Sequence, residues 1–208
     1  MTAEEQLAAG LRTLQLDLDR LRQNQLLEYT ELLAKWNRVY NLTALRDPTQ
    51  MVSHHLLDSL AVSRHVGQDR LLDVGTGAGL PGVPLAIARP QLEVTLLEPN
   101  QKRVAFLRQV VATLKLKNVV IIPERVEHAQ VKTLFPAIIS RAFSELADFV
   151  ESAKRLLLPG GVIYAMKGTY PHEEIDRLPP QFRVREVVRL QVPMLDAERH
   201  LVIVERVE

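Results

Sequence analysis

The chain has 208 residues, 47% of them hydrophobic and 25% charged, which is enough apolar material for one globular domain with an appendage. Its 26 Lys and Arg residues nearly balance its 25 Asp and Glu residues, and the net charge of +1 excludes a histone-like protein that binds nucleic acid by charge alone. The absence of Cys excludes a disulfide framework, a zinc ribbon and a thiolate nucleophile. No stretch approaches the roughly 20 apolar residues of a membrane span. Acidic residues interrupt the N-terminal leucines, unlike in a secretory signal, so we expect a cytoplasmic protein.

The N-terminal part of the chain is predicted to be helical. Apolar residues recur at alternating steps of four and three from Leu7 to Leu21, which predicts one amphipathic helix. A second helix is predicted by the apolar spacing from Leu26 to Tyr40. Asp47 and Pro48 are suited to cap and begin a third helix, which we expect to run toward Val66.

From Arg70 onward, short apolar runs alternate with helical patterns. The predicted strands are Leu71–Val74, Leu92–Glu98, Val119–Ile122, Ala137–Ser140 and Gly161–Met166, with helices between them at Val83–Ala88, Gln101–Leu114 and Leu146–Leu157. This alternation predicts right-handed βαβ units and a parallel sheet buried on both faces. Two final runs, Phe182–Val192 and His200–Val207, are too close together for a helical crossover, so we expect an antiparallel hairpin.

These elements predict a Rossmann-like α/β protein with a mostly parallel seven-stranded sheet. We expect residues 1–66 to form a helical extension packed on the core and residues 67–208 to form the α/β domain.

A glycine-rich loop follows the first predicted strand. It carries four glycines, Gly75, Gly77, Gly79 and Gly82, more than a plain turn needs. The last three match the GxGxxG fingerprint, which would bind a dinucleotide through its phosphates. Asp73 before the glycines and Pro81 among them favour a cationic ligand without phosphate, because proline lacks an amide that would bind phosphate. S-adenosylmethionine, with its sulfonium and ammonium groups, is such a ligand.

Glu98 ends the second predicted strand, where an acidic side chain can accept hydrogen bonds from both ribose hydroxyls. Dinucleotides and S-adenosylmethionine both carry a ribose, so Glu98 does not distinguish them, and a solvated helix cap before Asn100 is an alternative. The C-terminal hairpin does distinguish them, because methyltransferases of the Rossmann type end with an antiparallel strand inserted at the sheet edge.

Motifs along nearly the whole chain resemble those of one family. They are Trp36-Asn37-x-x-Tyr40-Asn41-Leu42-Thr43, Arg46-Asp47-Pro48, His55-Leu56-Leu57-Asp58-Ser59-Leu60, Asp73-Val74-Gly75-Thr76-Gly77-x-Gly79-Leu80-Pro81-Gly82, Lys102-Arg103-x-x-Phe106-Leu107, Arg125-Val126-Glu127, Ser140-Arg141-Ala142, Met166-Lys167-Gly168 and Glu198-Arg199-His200-Leu201. In order and spacing the chain resembles the bacterial 16S ribosomal RNA guanine-N7 methyltransferase family, also called glucose-inhibited division protein B. His54 departs from the family pattern, in which Arg or Lys is usual.

The resemblance implies a class I methyltransferase fold and methyl transfer from S-adenosylmethionine to N7 of one guanine of 16S rRNA, guanine-527 in the usual numbering. It places cofactor contacts at Gly75, Gly77, Leu80, Glu98, Val126, Glu127 and Arg141. Val126 and Glu127 would lie beside the adenine, or would simply begin a helix. Arg141 would meet the methionine carboxylate, a substrate phosphate or only a surface carboxylate.

Transfer to guanine N7 needs no general base, because N7 carries an in-plane lone pair and loses no proton. Catalysis then depends on alignment and on exclusion of water, for which Arg141, Lys167 and Arg199 are positioning candidates. The six His residues show no metal-ligand spacing, so no metal is expected. His200, at the start of the last predicted strand, is a candidate for RNA contact.

The target guanine must be unpaired or exposed in 16S rRNA or in the small ribosomal subunit, because N7 lies in the deep major groove of A-form RNA. Arg46, Lys102, Arg103, Lys167 and Arg199 are predicted to line an RNA-facing rim, with the N-terminal helices as a platform. We expect a monomer with no membrane partner. Two alternatives remain: a noncatalytic RNA-binding assembly factor with this fold, and a nucleotide-dependent oxidoreductase.

Overall fold

The computed structural model describes residues 1–141, 143 and 145–207, and for Pro48 it describes the backbone alone. Its strands are β1 (Arg70–Val74), β2 (Glu93–Leu97), β3 (Val119–Ile122), β4 (Phe135–Ser140), β5 (Leu157–Lys167), β6 (Phe182–Arg189) and β7 (His200–Arg206). They form one sheet in the order β3-β2-β1-β4-β5-β7-β6. Strands β1 to β5 run parallel, and β7 is antiparallel to β5 and β6. The predicted seven-stranded sheet and C-terminal hairpin are confirmed. Ala142, part of one family motif, lies outside the described residues.

The helices in the described part of the chain are α1 (Ala3–Thr13), α2 (Arg20–Tyr40), α3 (Pro48–Met51), α4 (Asp58–Leu60), α5 (Gly82–Ala88), α6 (Gln101–Thr113), α7 (Leu146–Ala153) and α8 (His172–Asp176). A π-helical segment, Val52–Leu57, joins α3 to α4. As predicted, Asp47 caps α3, accepting the amide of Thr49 at 2.9 Å. None of these helices has the length and apolar character needed to cross a membrane.

The prediction of a single helix from Leu7 to Leu21 is wrong. Helix α1 ends at Thr13, Gln15 adopts a left-handed φ of 53°, and the side chain of Asp19 caps the new helix α2. Leu18 is still buried, because the connecting loop places it in the same apolar cluster as the helical leucines. The leucine spacing therefore marks residues that share a core, and local capping divides them between two helices and a loop.

Other boundaries also differ from the prediction. The third helix ends at Leu60, and turns carry the chain to the buried Val66, because both Val62 and Val66 still reach the core from turn conformations. Strand β6 ends at Arg189, three residues before the predicted Val192. Helix α8 was not predicted, since its five residues contain no buried side chain and carry little hydrophobic pattern.

The N-terminal helices share the apolar core of the sheet. Leu26 and Leu33 of α2 are fully buried in the same cluster as Leu71 of β1. The hydroxyl of Tyr29 on α2 donates to the carbonyl oxygen of Ala78, in the glycine loop, at 2.8 Å. Burial raises the pKa of Tyr29 above its ordinary value, so the hydroxyl stays a proton donor. Helix α2 therefore helps to hold the loop, while the division at residues 66 and 67 stays a prediction.

Candidate active site at the carboxyl edge of the sheet

The residues predicted to contact the cofactor follow the carboxyl ends of neighbouring strands. Gly75, Gly77 and Leu80 follow β1, Glu98 follows β2, Val126 and Glu127 follow β3, and Arg141 follows β4. Lys167 ends β5 and pairs with His200 at the start of β7, so the preceding Arg199 lies at the same edge. Ligands of open α/β sheets bind at this edge, because the loops after the strands diverge there and leave a crevice.

Gly77 is the open position of the glycine loop. It has a positive φ of 62°, and the nearest atom to a Cβ built there is the carbonyl oxygen of Gly75, 4.0 Å away. A Cβ on Gly79 would lie 2.5 Å from Val83, and a Cβ on Gly82 would lie 2.4 Å from Leu96. The last two glycines are therefore required by packing, whereas Gly77 leaves space that a ligand can fill.

Asp73 is a buried carboxylate with an unused acceptor. Its Oδ2 accepts the hydroxyl of Thr76 at 2.6 Å and the amide of Gly82 at 2.8 Å, and Oδ1 has no partner among the described residues. Burial raises the pKa of Asp73 to about 6, against the opposing effects of those two hydrogen bonds and of Arg141. A buried carboxylate oxygen without a donor fits a cationic group such as the ammonium of S-adenosylmethionine.

The amide of Gly82 bears directly on the dinucleotide alternative. Gly82 begins α5, and in a dinucleotide fingerprint the pyrophosphate rests on the N-terminus of this helix. Here that amide already donates to the carboxylate of Asp73. A fixed carboxylate at this point repels phosphate, so the geometry disfavours a dinucleotide and the oxidoreductase alternative with it.

Glu98 is buried, with its side chain 2% exposed. Its Oε2 accepts the amide of Gly77 and its Oε1 accepts the amide of Asn100, both at 2.9 Å. Arg103 lies 3.6 Å from Oε2. Asn100 itself caps α6, so Glu98 is not the solvated helix cap considered as an alternative. Each carboxylate oxygen keeps a second acceptor position, which suits two ribose hydroxyls.

Val126 and Glu127 lie in a turn after β3 rather than at the start of a helix. The side chain of Val126 is buried in the apolar cluster on the α7 side of the sheet, and its carbonyl accepts a hydrogen bond from Arg155. Glu127 is exposed and Leu80 is buried. The Val126 side chain therefore offers little surface to an adenine, and the turn can present its backbone and the Glu127 carboxylate.

A second part of the edge is a cavity of about 410 Å³ with Asp58 in its wall. Nη1 of Arg141 donates to Asp58 Oδ2 at 3.0 Å, and Nε of Arg199 donates to Asp58 Oδ1 at 2.9 Å. Asp58 is not among the site residues predicted from the sequence. The available signal was an acidic residue inside the apolar motif His55-Leu56-Leu57-Asp58-Ser59-Leu60, where a buried charge requires a partner.

Lys167 also lines this cavity, and its charge is balanced. Its ammonium donates to Glu174 of α8 at 2.6 Å and to the carbonyl of Phe143 at 3.1 Å, and its side chain is 9% exposed. Glu174 also accepts the amide of Leu146, at the start of α7. Helix α8, which the sequence did not predict, therefore supplies the counter-ion of a predicted positioning residue.

Two histidines near the cavity have fixed partners. His55 Nδ1 lies 3.1 Å from the carbonyl oxygen of His54, which can only accept, so Nε2 is the acceptor for the Thr43 hydroxyl at 2.9 Å. Burial, with a smaller effect from Arg141, lowers the pKa of His55 to about 4, so this ring is neutral. His200 is buried and bonds the carbonyl of Gly168 at 2.8 Å, which favours a structural role over RNA contact. No cluster of His, Asp or Glu in the described part of the chain is arranged to hold a metal ion.

The five basic residues predicted to form an RNA-facing rim have different environments. Arg103, Lys167 and Arg199 are paired with Glu98, Glu174 and Asp58, respectively. Arg46 donates to the side chain of Asn41 at 2.7 Å, and the Lys102 ammonium lies 6.0 Å from the ring centre of Tyr40. Arg46 and Lys102 are thus exposed beside the C-terminal end of α2.

The strand order, the C-terminal hairpin, the glycine loop after β1 and the acidic residue after β2 define a class I methyltransferase fold. Similar solved structures include TrmN from Thermus thermophilus, with a TM-score of 0.58 and 20% identity, covering 82% of this chain and 53% of that chain. TYW2 from M. jannaschii in complex with AdoMet has a TM-score of 0.53 and 16% identity, covering 72% of this chain and 77% of that one. At such identities these structures show the fold alone.

The chain belongs to the GidB family, described as rRNA small subunit methyltransferase G, whose family model matches residues 22–202. Curated relatives named ribosomal RNA small subunit methyltransferase G include that of Laribacter hongkongensis, 52% identical over 97% of this chain and 98% of the relative. The relative from Nitrosospira multiformis is 49% identical over 99% of both chains. That from Neisseria meningitidis serogroup B is 50% identical over 99% of this chain and 100% of the relative. The predicted family is confirmed.

Proposed function

We propose that this protein transfers a methyl group from S-adenosylmethionine to N7 of one guanine of 16S rRNA in the small ribosomal subunit. The observation that carries the proposal is the buried Asp73, whose Oδ1 has no partner among the described residues and lies under a glycine loop that is open at Gly77. This combination fits a cationic ligand that touches the backbone. Family membership supports the rRNA substrate.

S-adenosylmethionine supplies an electrophilic methyl group on a sulfonium. Asp73 would accept a hydrogen bond from its ammonium, and Glu98 would accept those of the ribose hydroxyls. Gly77 would allow the cofactor to approach the backbone, with Gly75, Leu80, Val126, Glu127 and Arg141 completing the proposed contacts. The buried hydrogen bond from Tyr29 to Ala78 holds the loop in place before any ligand binds.

No residue of the site has to remove a proton. Of the two histidines that line the cavity with Arg141, His55 has its acceptor nitrogen on the Thr43 hydroxyl, and Nδ1 of His54 lies 2.9 Å from the Ser53 hydroxyl and 3.1 Å from the carbonyl oxygen of Gln50. The arginines and Lys167 are held by carboxylates, which suits groups that orient an RNA and exclude water. The protein is expected to act in the cytoplasm as a monomer, without a metal ion.

Two measurements test the proposal. The melting temperature should rise with S-adenosylmethionine and stay unchanged with NAD, because a ligand that binds the native state stabilises it. Small subunits and naked 16S rRNA from a strain lacking this gene should then accept labelled methyl groups, and mapping should place N7-methylguanine at one position. Stabilisation by S-adenosylmethionine without transfer to either RNA would contradict the proposed activity and favour a noncatalytic assembly factor. Stabilisation by NAD alone would contradict the cofactor.

A further inference from the structure

Asp58 joins three segments that are distant in sequence. It lies at the start of α4, while Arg141 follows β4 and Arg199 precedes β7. Each guanidinium donates to a different oxygen of the Asp58 carboxylate, at 3.0 Å and 2.9 Å. The carboxylate is 2% exposed, whereas the arginine side chains are 27% and 25% exposed. One buried group therefore fixes two partly exposed cations.

Both arginines have donors that the contact with Asp58 does not use. Arg141 Nη1 also bonds the carbonyl of His54 at 3.3 Å, and Arg199 Nη1 bonds the carbonyl of Glu198 at 2.8 Å. No described residue accepts a hydrogen bond from Nη2 of either arginine. Since both side chains line the cavity of about 410 Å³, these donors are available to a ligand there.

Asp58 and its two arginine partners together carry one net positive charge. Arg141 and Arg199 contribute two positive charges and Asp58 removes one. Lys167 is balanced by Glu174, and the lowered pKa of His55 keeps that ring neutral. One uncompensated charge matches a single anionic group, and without Asp58 the two guanidiniums would repel each other.

We propose that Asp58 is a positioning residue for methyl transfer, which acts by holding Arg141 and Arg199 in one orientation around a single anionic group in the cavity. The inference rests on the proposed function. The anion is either the methionine carboxylate of the cofactor or a backbone phosphate of the RNA, since guanidinium recognises both in the same way. Asp58 itself touches neither substrate.

The first test compares Asp58→Asn with wild type and with the control Ser59→Ala. Asn keeps the shape of Asp58 and removes its charge. Ser59 is the adjacent buried residue, and its hydroxyl has no partner among the described residues, so its loss should change nothing. For Asp58→Asn we expect kcat to fall at least tenfold while the KM for RNA stays the same or falls, because the cavity gains a positive charge. An unchanged kcat would overturn the inference.

Two binding measurements on Asp58→Asn identify the anion. If it is an RNA phosphate, the plot of log Kd for 16S rRNA against log salt concentration should steepen by about 0.7 per added phosphate contact. If it is the methionine carboxylate, the Kd for S-adenosylmethionine should change by calorimetry with no change in that slope. A structural defect would lower the melting temperature and the active fraction, but would change neither the salt slope nor the Kd for S-adenosylmethionine. If neither changes, the inference is wrong.

A double-mutant cycle tests whether Asp58 acts through its partner. Asp58→Asn should lower kcat much less in an Arg199→Gln background than in wild type, and additive effects would contradict the inference. If Asp58→Asn does not fold, Asp58→Glu replaces it, because Glu keeps the charge and shifts it by one methylene. A wild-type kcat for Asp58→Glu would also contradict the inference. Absence of methylation by wild type would instead contradict the proposed function.

Discussion

The carboxylate of Asp73 accepts the backbone amide of Gly82 at 2.8 Å, across the full width of the glycine loop. The third glycine of an apparent dinucleotide fingerprint therefore donates to a carboxylate of its own chain. The same carboxylate leaves Oδ1 unpartnered among the described residues, which is what a cationic ligand needs. One side chain thus separates two cofactor classes that share a glycine pattern.

The affinity for S-adenosylmethionine should fall as the pH falls through the raised pKa of Asp73, about 6. Only the ionised carboxylate attracts the ammonium, so we expect Kd to rise about twofold at pH 6 and about tenfold at pH 5, relative to pH 7.5. Calorimetry at these three values measures the effect. Asp73→Asn should bind weakly at pH 7.5 and lose most of the dependence. A wild-type Kd that is constant from pH 7.5 to 5 would exclude this role for Asp73.

Replacing Gly77 by Ala should weaken cofactor binding at least tenfold with little loss of stability. The left-handed backbone costs Ala about 1 kcal/mol, and the new methyl group would occupy the open side of the loop. Gly160 is a matched control, because its φ is +71°, nothing lies within 4 Å of a Cβ built there, and it lies toward the amino end of β5, away from the site.

Both glycine variants should therefore lose similar stability in urea unfolding, and only Gly77→Ala should raise the Kd for S-adenosylmethionine at least tenfold. Equal cofactor affinities for the two variants would show that the space at Gly77 is not where the cofactor lies.

Tyr29→Phe should destabilise the protein and loosen the glycine loop. The change leaves the Ala78 carbonyl without its buried donor, which costs about 1 to 3 kcal/mol. Because the loop is less well held, we also expect weaker binding of S-adenosylmethionine. Tyr164→Phe is the comparison, since its hydroxyl bonds the side chain of Gln68 at 3.0 Å, outside the proposed site. Tyr164→Phe should leave cofactor affinity unchanged, and an unchanged affinity in Tyr29→Phe would show that α2 does not support the loop.

His55 should make the protein less stable in acid. Its folded pKa of about 4 lies below the ordinary value of 6.5, so the unfolded chain binds the proton more readily. The full stability is present above about pH 6.5 and falls as the pH falls toward 4. At pH 4.5 the loss in unfolding free energy is about 2 to 3 kcal/mol. The raised pKa of Asp73 has the opposite effect, because it increases the unfolding free energy as the pH falls from about 6 to 4. Asp73 is present in every protein compared, so its effect cancels.

Urea unfolding at pH 7 and pH 4.5 measures this contribution. From pH 7 to pH 4.5, His55→Gln should lose about 2 to 3 kcal/mol less unfolding free energy than wild type. His128→Gln, at an exposed position, should behave like wild type. Parallel behaviour of all three proteins would mean that folding does not lower the pKa of His55.

Much of the fold followed from local pattern. The alternation of apolar runs and helical spacing predicted the parallel strands, and the short connection before His200 predicted the antiparallel hairpin. The prediction of one helix from Leu7 to Leu21 was wrong, because burial of Leu18 in a loop produces the same spacing as burial on a helix. The five-residue helix α8 carried no pattern to detect.

By itself, the sequence determined the strand and helix series, the glycine loop with its acidic neighbours, and the family. Tertiary structure alone decided how the charges pair. Asp58 pairs with Arg141, 83 positions away in sequence, and with Arg199, 141 positions away. Lys167 pairs with a carboxylate on α8, a helix that was not predicted from the sequence. Secondary structure follows from periodicity over a few residues, whereas an ion pair depends on where the packed sheet brings distant strand ends together. The chemistry of this edge is therefore set by the fold as a whole.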